Sequence, residues 1–515
     1  MRRLCLFALT ALMLVTATVF ADESNRPIIL GPPAGSDLPE LGSPAATLLS
    51  QSDEYRLGAM VAHELREQNA LLEDPEVSEY LNDLGDRLAA QSPSGGAHFQ
   101  FFLIKDPTIN AFAVPGGYIF IHQGLILVGN SESELAGVMA HEIAHVTQHH
   151  IARQLRAQSQ QSLTTAAMMI AAILLGAASG GQAAEAGLIG AQGIAAQQQI
   201  NFTRENEIEA DRVGIGFLAA AGFDPNAMAS SFETMSRHEG LAATYIPAML
   251  IDHPVTTDRI AEARARAAQF PPRRNKDSES YEMIRERVRV LTAERDVDLV
   301  NYYQKKIDRG EATLGDRYGQ ALALIERDGV DHSSADDAAR ILDKLVKEHE
   351  GNILLHIALA QAQIKDNQAK KGMATFAQAA KLFPRNVPVT VRYAEALMQE
   401  GHPMDAHNML LDLFNIVPPT PQQIRLTALA ASAAGDAGDA YFYMGEYDIA
   451  GGDLNMAAQQ LQLALASPHI SSIQRQRYQA RLDEVRDYLM SIRKKQLADS
   501  GDGQGGQQGQ GRGGH

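Results

Sequence analysis

Hydrophobic residues recur with helical spacing in the first part of the chain and then give way to an alternating pattern. Helical spacing extends over 52–88 and is broken around Asp74 and Pro75. Apolar and polar residues then alternate, with several aromatic side chains among them, at 98–104 and at 118–122. Alternation of this kind predicts two β-strands, with a loop between them. The pattern therefore indicates helices followed by a small sheet.

A capping signal marks the start of the next predicted helix. Ser131 and Glu134 form the S-x-x-E pattern that satisfies backbone N–H groups at a helix N-terminus. A periodic apolar run begins directly afterwards at Leu135. Helical patterning resumes over 205–222. Both predicted helices carry clusters of histidine or acidic residues.

The C-terminal half contains an internal repeat. Several residues recur 34 positions apart, and a 34-residue helix-turn-helix period that ends in Pro is typical of tetratricopeptide repeats. Small residues at shared positions would let neighbouring helices approach closely. An irregular helical bundle is the alternative, because the repeats match at few positions. The matching pairs are Pro384 and Pro418, Asn352 and Asn386, Ala360 and Ala394, and Ala362 and Ala396.

The composition is that of a folded protein and argues against one class of partner. With 45% hydrophobic and 21% charged residues, the 515-residue chain is globular in character and long enough for two domains. Its formal net charge is −17, whereas phosphate binding requires a concentrated basic face. We therefore expect no nucleic-acid partner.

Residues 1–21 have the order of a secretory signal peptide, with two basic residues, an apolar run, and small residues before the acidic pair Asp22 and Glu23. An uncleaved membrane anchor is the alternative, since the apolar run is near the lower limit for a spanning helix. Cys5 is the single cysteine and lies in this segment, so the mature chain would form no disulfide. Export without disulfides suits the bacterial periplasm, which is the predicted location.

A segment almost free of charge lies at 163–180. Its length approaches that of a membrane span, although Ala, Gly and Thr dilute its hydrophobicity. A buried helix hairpin, contact with a membrane surface and a true span are all compatible with this pattern. Membrane-surface contact through 163–180 is therefore one of three open hypotheses.

The helix predicted after Ser131 contains an H-E-x-x-H motif, in which His141 and His145 are four residues apart. Residues at this spacing lie on one helical face, so both imidazoles can reach one zinc ion at about 2.0–2.1 Å. Glu142, about 100° further around the helix, can hydrogen-bond a water on the metal without ligating the ion. Zinc lowers the pKa of that water to about 7, and a carboxylate can then take its proton. The motif predicts zinc-assisted peptide hydrolysis, with one zinc per chain.

Catalytic zinc requires a third protein ligand and leaves one position open. The downstream helix offers Glu205, Glu207, Glu209 and Asp211. A ligand and the residue that supports it would lie on one helical face, four residues apart. Glu207 with Asp211 satisfies this spacing, and so does Glu205 with Glu209. A solvated acidic face is a third alternative, so spacing alone leaves the choice open.

Several motifs together resemble the gluzincin peptidases of the HtpX and CAAX prenyl protease type. The specific likeness covers 98–260. The signal peptide and the repeats narrow the resemblance to the subgroup of periplasmic β-barrel assembly-enhancing proteases. The motifs are His141–His145, Asn110–Gly117 followed by Gly124 and Leu125, Glu207–Asp211, and His253 and Pro254 with Arg259.

This resemblance implies roles for individual residues. Glu207 would be the third zinc ligand, and Asp211 would orient a histidine ligand. His253 and Arg259 would face the cleft, where they could hold the substrate carbonyl or stabilise the oxyanion. In the assembly-enhancing proteases the corresponding histidine can also fill the open zinc position, so His253 is a candidate switch that keeps the enzyme latent.

The resemblance also implies a substrate-binding strand after Asn110, which would hold an extended peptide by main-chain pairing. Glycines there would suit close backbone approach. The expected substrate-binding residues are Asn110, Ala111, Phe112, Ala113, Gly116 and Gly117.

Other histidines of this region are expected to have lesser roles. His149 and His150 would lie at the surface or support a ligand, because one metal already has its ligands. His122 would be structural.

The predicted fold is mostly α with a small β-sheet: a zincin-like metalloprotease domain followed by an α-solenoid of tetratricopeptide-like helix pairs. The predicted boundaries are 1–21 for the signal peptide, 22–50 for an extended leader, 51–271 for the zinc metalloprotease domain, 272–312 for connecting helices, 313–490 for the repeats and 491–515 for a disordered Gly/Gln-rich tail.

The leading hypothesis is a periplasmic zinc endopeptidase, which could also act as a chaperone, in quality control of misassembled outer-membrane proteins. Misfolded or stalled outer-membrane proteins are the partners that the resemblance implies, and the barrel-assembly machinery would dock on the repeats. The alternative is a non-proteolytic chaperone or scaffold with a latent or structural zinc site. A membrane-embedded protease that uses 163–180 is a third hypothesis.

Overall fold

The computed structural model describes a large part of the chain, and the features predicted for 1–50, for 163–180 and for the end of the tail lie outside it. Across the described ranges, no helix is both long enough and apolar enough to cross a membrane. The described ranges are 51–92, 99–150, 204–241, 253, 256–273, 276–295, 297–326 and 332–502.

Two helices precede the sheet, as the break at Asp74 predicts. Helix α1 spans Gln51–Glu67 and helix α2 spans Pro75–Ala89. The Asp74 side chain caps α2 by accepting a hydrogen bond from the Val77 N–H at 3.1 Å. Pro75 occupies the start of α2, where a missing N–H costs little.

Three short strands form one sheet in the order β1-β3-β2, with β1 parallel and β2 antiparallel to β3. They span Gln100–Ile104, Ala111–Val114 and Tyr118–His122. The two predicted strands are confirmed. Strand β2 lies in the stretch that alternation assigned to a loop, because its four residues are all buried and show no alternation with polar ones.

Helix α4 is the centre of the N-terminal domain. Helices α2, α5 and α6 and strand β2 all pack on it, and every residue from Glu132 to His145 is buried. A helix buried along this length keeps its polar side chains in the interior, where each of them needs a partner. In chain order, α3 spans Gln123–Val128, α4 spans Glu132–Thr147, α5 spans Arg204–Ala220, α6 spans Ala227–Leu241 and α7 spans Thr257–Ala267.

The predicted N-terminus of α4 is confirmed, with one difference in the cap. Ser131 Oγ accepts the Glu134 N–H at 3.2 Å, as the capping pattern requires. The Glu134 carboxylate, however, accepts the N–H of Asn130 at 2.9 Å. Glu134 also contacts Thr234 of α6 at 3.3 Å, so the cap connects two elements of the domain.

The region 272–312, predicted as a connection, contributes to the protein core. Helix α8 spans Glu279–Leu291 and helix α9 spans Leu299–Asp308. Helix α8 packs against α2 and α3, and its residues belong to a single hydrophobic cluster that runs from Val77 to Ala362. The N-terminal domain and the first repeats therefore share one core.

The C-terminal half is a regular array of helix pairs, and the predicted α-solenoid is confirmed. Helices α12, α14 and α16 begin 34 residues apart, and so do α13, α15 and α17. Ala360 and Ala394, which the repeat predicted at shared packing positions, are both completely buried. The helices are α10 Leu314–Glu326, α11 His332–Glu348, α12 Ile353–Lys365, α13 Ala369–Leu382, α14 Val387–Gln399, α15 Pro403–Phe414, α16 Pro421–Ala433, α17 Ala437–Ala450, α18 Leu454–Ala466 and α19 Ser472–Asp502. Helix α19 thus continues beyond the tail boundary predicted at 491.

A buried cluster of two carboxylates and two guanidinium groups joins the two halves. Arg287 of α8 donates to the two oxygens of Asp74, at 2.7 Å each. Arg392 of α14 donates to Asp74 at 2.6 Å and to Glu76 at 2.8 Å. Burial raises the pKa of Asp74, but Arg287 and Arg392 outweigh that effect and lower it to about 2. The Asp74 carboxylate, which caps α2, therefore stays charged and forms ion pairs with residues of both halves.

Two further contacts show that the repeats lie along α1 and α2. The Asn386 side chain donates to Glu79 of α2 at 2.9 Å. At the end of α17, a Cβ added to Gly451 would lie 2.5 Å from Nδ1 of His63 in α1, so a side chain there would require the His63 ring to move.

We expect Arg392→Ala to destabilise the protein by about 3–5 kcal/mol, because it leaves buried carboxylates with one cationic partner fewer. Arg340→Ala is the matched control, since Arg340 is exposed and pairs with exposed aspartates of α11, and it should change stability by less than about 1 kcal/mol. The measurement is urea-induced unfolding followed by circular dichroism. Equal stability of the two variants would contradict a stabilising role for the cluster.

Candidate metal centre

Close helix packing positions the H-E-x-x-H motif in the interior. The side chains of His141 and His145 are completely buried, and Glu142 is nearly so. A Cβ added to Gly214 of α5 would lie 3.0 Å from the Ala140 carbonyl oxygen, which is tighter than ordinary contact. Glycine at this position lets α5 lie directly against α4, and α5 carries the acidic cluster.

Four side chains converge on one point: His141 and His145 of α4, Glu207 of α5 and His253, with donor atoms all within 4.8 Å of one another. The Nε2 atoms of His141 and His145 are 2.9 Å apart, and each lies 3.5 Å from a Glu207 oxygen. Donor atoms of a tetrahedral zinc with ligands at 2.0–2.1 Å are separated by about 3.3–3.4 Å. The spacing and the N/O donor chemistry therefore fit a zinc ion.

The structure distinguishes between the two acidic pairs that the spacing left open. Glu207 is buried within the donor group, and Asp211 is buried beside it. Glu205 is exposed at the start of α5. Glu209 is partly exposed and contacts His150 at 3.2 Å. Only Glu207 and Asp211 face the group, one helical turn apart.

Asp211 and Arg259 form the layer behind the donor group. An Asp211 oxygen lies 2.9 Å from Nδ1 of His141, which leaves Nε2 of that ring directed at the group. Arg259 donates two hydrogen bonds to Asp211, at 2.8 and 2.9 Å, and its Nη1 lies 3.0 Å from Glu207. Its guanidinium also stacks on Phe232 at 4.9 Å. Arg259 thus contacts carboxylates of the site. The role that the resemblance implied, to hold the substrate carbonyl or stabilise the oxyanion, stays a prediction.

His253 lies inside the donor group. Its Nδ1 is 2.9 Å from a Glu207 oxygen and 3.5 Å from Nε2 of His141. Glu142 lies next to the group and is not one of its members: its Oε1 is 3.8 Å from Nε2 of His253. A carboxylate at this position can accept a proton from a water held by the group without occupying a ligand position.

The electrostatics of the group favour a bound cation. Burial lowers the pKa of His141, but hydrogen bonds with Asp211 and Glu207 outweigh it and raise the pKa to about 10. Burial would raise the pKa of Glu207, whereas His253 and His141 keep it well below its usual value. The carboxylates therefore stabilise positive charge among these imidazoles, whether a proton or a divalent cation supplies it.

The predicted substrate strand occupies an edge of the described sheet. Strand β2 pairs with β3 on one side only, and Asn110 precedes it with its side chain accepting the Ala111 N–H at 2.9 Å. Gly116 and Gly117 have φ values of 88° and 85°, as a turn requires. A Cβ on Gly116 would lie 2.5 Å from the Glu54 carbonyl oxygen, so the close approach at Gly116 is to α1.

One of the two histidines expected at the surface or in support of a ligand contacts a motif histidine. His150 is completely buried, and its Nδ1 lies 2.9 Å from Nδ1 of His145. Helix α4 ends at Thr147, and His149 adopts a positive φ of 53°, which takes the chain out of the helical path. Helical spacing could not predict this contact, because His150 follows His145 by five residues. His122 pairs with Thr108 at 2.7 Å, away from the donor group, in agreement with a structural role.

Comparison with known proteins agrees with this geometry. The sequence profile of Peptidase family M48 matches residues 75–267. The beta-barrel assembly-enhancing protease of Yersinia pestis is 31% identical over 487 residues, which cover 94% of this chain and 98% of that protein. The protein of the same name from Escherichia coli is 32% identical over 479 residues, with 91% and 93% coverage. A Vibrio cholerae protein, whose name gives the same assignment provisionally, is 36% identical over 455 residues, with 87% and 92% coverage.

This chain belongs to peptidase family M48. The resemblance inferred from its short motifs is confirmed, and with it the assignment of the protein as a zinc metallopeptidase. The buried group of three histidines and one glutamate is where the M48 peptidase could hold its metal.

We expect this protein, when purified, to contain about one zinc per chain. The variants His141→Ala and Glu207→Ala should lose the zinc, because each removes one of the few available donors. Glu205→Ala is the matched control on the same helix, and it should retain zinc because its side chain is exposed. Elemental analysis of the purified variants measures the outcome. Zinc retained in Glu207→Ala would assign the third ligand elsewhere.

Proposed function

We propose that this protein is a periplasmic zinc endopeptidase that cleaves misassembled outer-membrane proteins. The observation that carries the proposal is the buried donor group with the Glu142 carboxylate beside it. The names of the relatives from Yersinia pestis and Escherichia coli refer to β-barrel assembly, which supports the substrate class. The order of residues 1–21, typical of a signal peptide, supports export to the periplasm.

In this proposal, His141, His145 and Glu207 hold the zinc, and Asp211 fixes the orientation of His141. When bound, zinc supplies the Lewis acidity that lowers the pKa of water to about 7. Glu142 accepts a proton from the water that attacks the peptide carbonyl, and donates it to the amine nitrogen as the C–N bond breaks. Arg259 keeps the Glu207 and Asp211 carboxylates in place through its paired hydrogen bonds.

Strand β2 would hold the substrate. An extended peptide can add to the free side of an edge strand by main-chain hydrogen bonds, independently of its side chains. Strand β2 packs on α4, which carries Glu142, so a peptide paired with β2 would run along the helix that bears the motif. Main-chain recognition suits a protease whose substrates are polypeptides in an unfolded, extended state.

The repeats would bind the partners. An array of helix pairs offers an extended surface for another polypeptide, and this one is joined to the peptidase domain through the ion pair of Asp74 and Arg392. We propose that stalled outer-membrane proteins, or the machinery that assembles them, dock there. Segment 163–180 lies outside the described residues, and contact of that segment with a membrane surface stays a hypothesis.

His253 favours a second function for the resting protein. Because its Nδ1 lies within the donor group, it would occupy the position that an active zinc peptidase leaves open for water. A protein in that state would act as a chaperone or scaffold and become a protease when His253 moves away.

Glu142→Gln should abolish cleavage and retain zinc. General-base catalysis typically contributes about 10²–10⁴-fold, so we expect a loss of that size in the cleavage rate of casein and of a urea-unfolded outer-membrane barrel. Glu205→Gln is the matched control on an exposed position. If Glu142→Gln fully restores barrel assembly in cells that lack the protein, the chaperone function is the physiological one and the peptidase proposal fails.

His253→Ala should raise proteolytic activity while zinc stays bound through the other three side chains. If His253 occupies the open zinc position with a free energy about 1.4 kcal/mol more favourable than that of water, its removal increases the cleavage rate about tenfold. His238→Ala is the control, since His238 is exposed and bonds the Thr234 carbonyl of its own helix at 2.9 Å. A fall in the cleavage rate would instead indicate that His253 contacts the substrate.

A further inference from the structure

We infer that His150 is a positioning residue of the zinc site and that, together with Glu209, it orients His145 towards the metal. The inference rests on the proposed function, because it takes His145 as a zinc ligand. It concerns two residues outside the H-E-x-x-H motif and outside the donor group.

The geometry is a chain of three side chains in contact. Nδ1 of His150 lies 2.9 Å from Nδ1 of His145, and Nε2 of His150 lies 3.2 Å from Oε2 of Glu209. Both imidazoles are completely buried, and their rings meet edge to face with centroids 4.8 Å apart. We refer to Glu209, His150 and His145 as the Glu-His-His chain.

Hydrogen-bond chemistry allows one consistent proton arrangement in the Glu-His-His chain when both rings are neutral. The ionised carboxylate of Glu209 can only accept, so Nε2 of His150 carries the proton. Nδ1 of His150 then has a lone pair and accepts from Nδ1–H of His145. Nε2 of His145 is left with its lone pair, and this atom faces Nε2 of His141 and Glu207.

The two motif histidines would therefore be oriented by different means. Nδ1 of His141 contacts the carboxylate of Asp211 directly, at 2.9 Å. Nδ1 of His145 instead contacts the inserted imidazole of His150, which in turn contacts the carboxylate of Glu209. Both carboxylates come from α5, which also carries Glu207. Helix α5 therefore provides one donor of the metal centre and the carboxylates that would orient the other two, His141 and His145.

The local backbone explains how His150 reaches this position. Helix α4 ends at Thr147, the His149 N–H bonds the Val146 carbonyl at 2.9 Å, and His149 takes a positive φ. This turn brings His150 back against His145. Glu209, two residues from both Glu207 and Asp211, lies on another side of α5 and meets His150 there.

The test is zinc affinity measured by competition with a chromophoric chelator on the full-length protein. Loss of a side chain that orients a metal ligand typically weakens metal binding by about 10–100-fold, and we expect a change of this size for His150→Ala. His150→Gln keeps a donor and an acceptor and should recover part of the affinity. Glu209→Gln should weaken binding less than His150→Ala, and because Glu209 is partly exposed this variant is expected to fold normally.

A second readout separates orientation from general stability. The visible absorption spectrum of the cobalt-substituted protein reports the geometry of the ligands, and we expect it to change in His150→Ala. His149→Asn is the matched control, because asparagine tolerates the positive φ and His149 is only partly buried. It should keep the affinity and the spectrum of the wild type.

Two results would overturn the inference in distinguishable ways. If His150→Ala and Glu209→Gln bind zinc as tightly as the wild type while His141→Ala does not, the zinc site stands and the Glu-His-His chain has no positioning role. If the wild type itself binds no zinc, the proposed function fails, and the inference fails with it.

Discussion

A carboxylate or guanidinium that is buried loses its hydration, so the interior can contain such groups only where each has a partner of opposite charge or a hydrogen-bond donor. At the candidate metal centre this condition is met by a closed set of contacts. Glu207 contacts His253 and Arg259, and Asp211 contacts His141 and Arg259. The same contacts therefore balance the buried charges and orient the donor atoms. Helices α4, α5 and α7 must keep their relative positions to maintain these contacts.

How well each part of the site could be predicted from the sequence depends on how local its geometry is. His141 and His145 are one helical turn apart, so their spacing alone predicts that they share a face. Glu207 is more than 60 positions downstream, and spacing allowed two acidic pairs; the family resemblance implied the pair that the fold brings to the centre. For His150 the sequence left both a surface position and support of a ligand open, because its contact with His145 depends on the turn at His149.

The same distinction applies to the fold. The repeat period, the start of α4 at Ser131 and two of the three strands follow from local patterns, and all of them agree with the structure. Strand β2 has no such pattern, since it is short and uniformly buried. The ion cluster between the halves could not be predicted either, because Asp74 and Arg392 are separated by 318 positions and only the finished packing brings them together.

The shared hydrophobic cluster has a practical consequence for dissecting this molecule. Apolar side chains from Val77 to Ala362 form one continuous interior, with Tyr281 and Leu355 completely buried in it. A fragment ending at 271 would have solvent where α8 and the first repeats belong, and its exposed apolar surface would favour aggregation. A catalytic fragment should therefore extend through α15, to Phe414, because α14 carries Arg392, which bonds Asp74 and Glu76. Its C-terminus would then fall between two helix pairs, outside the common interior.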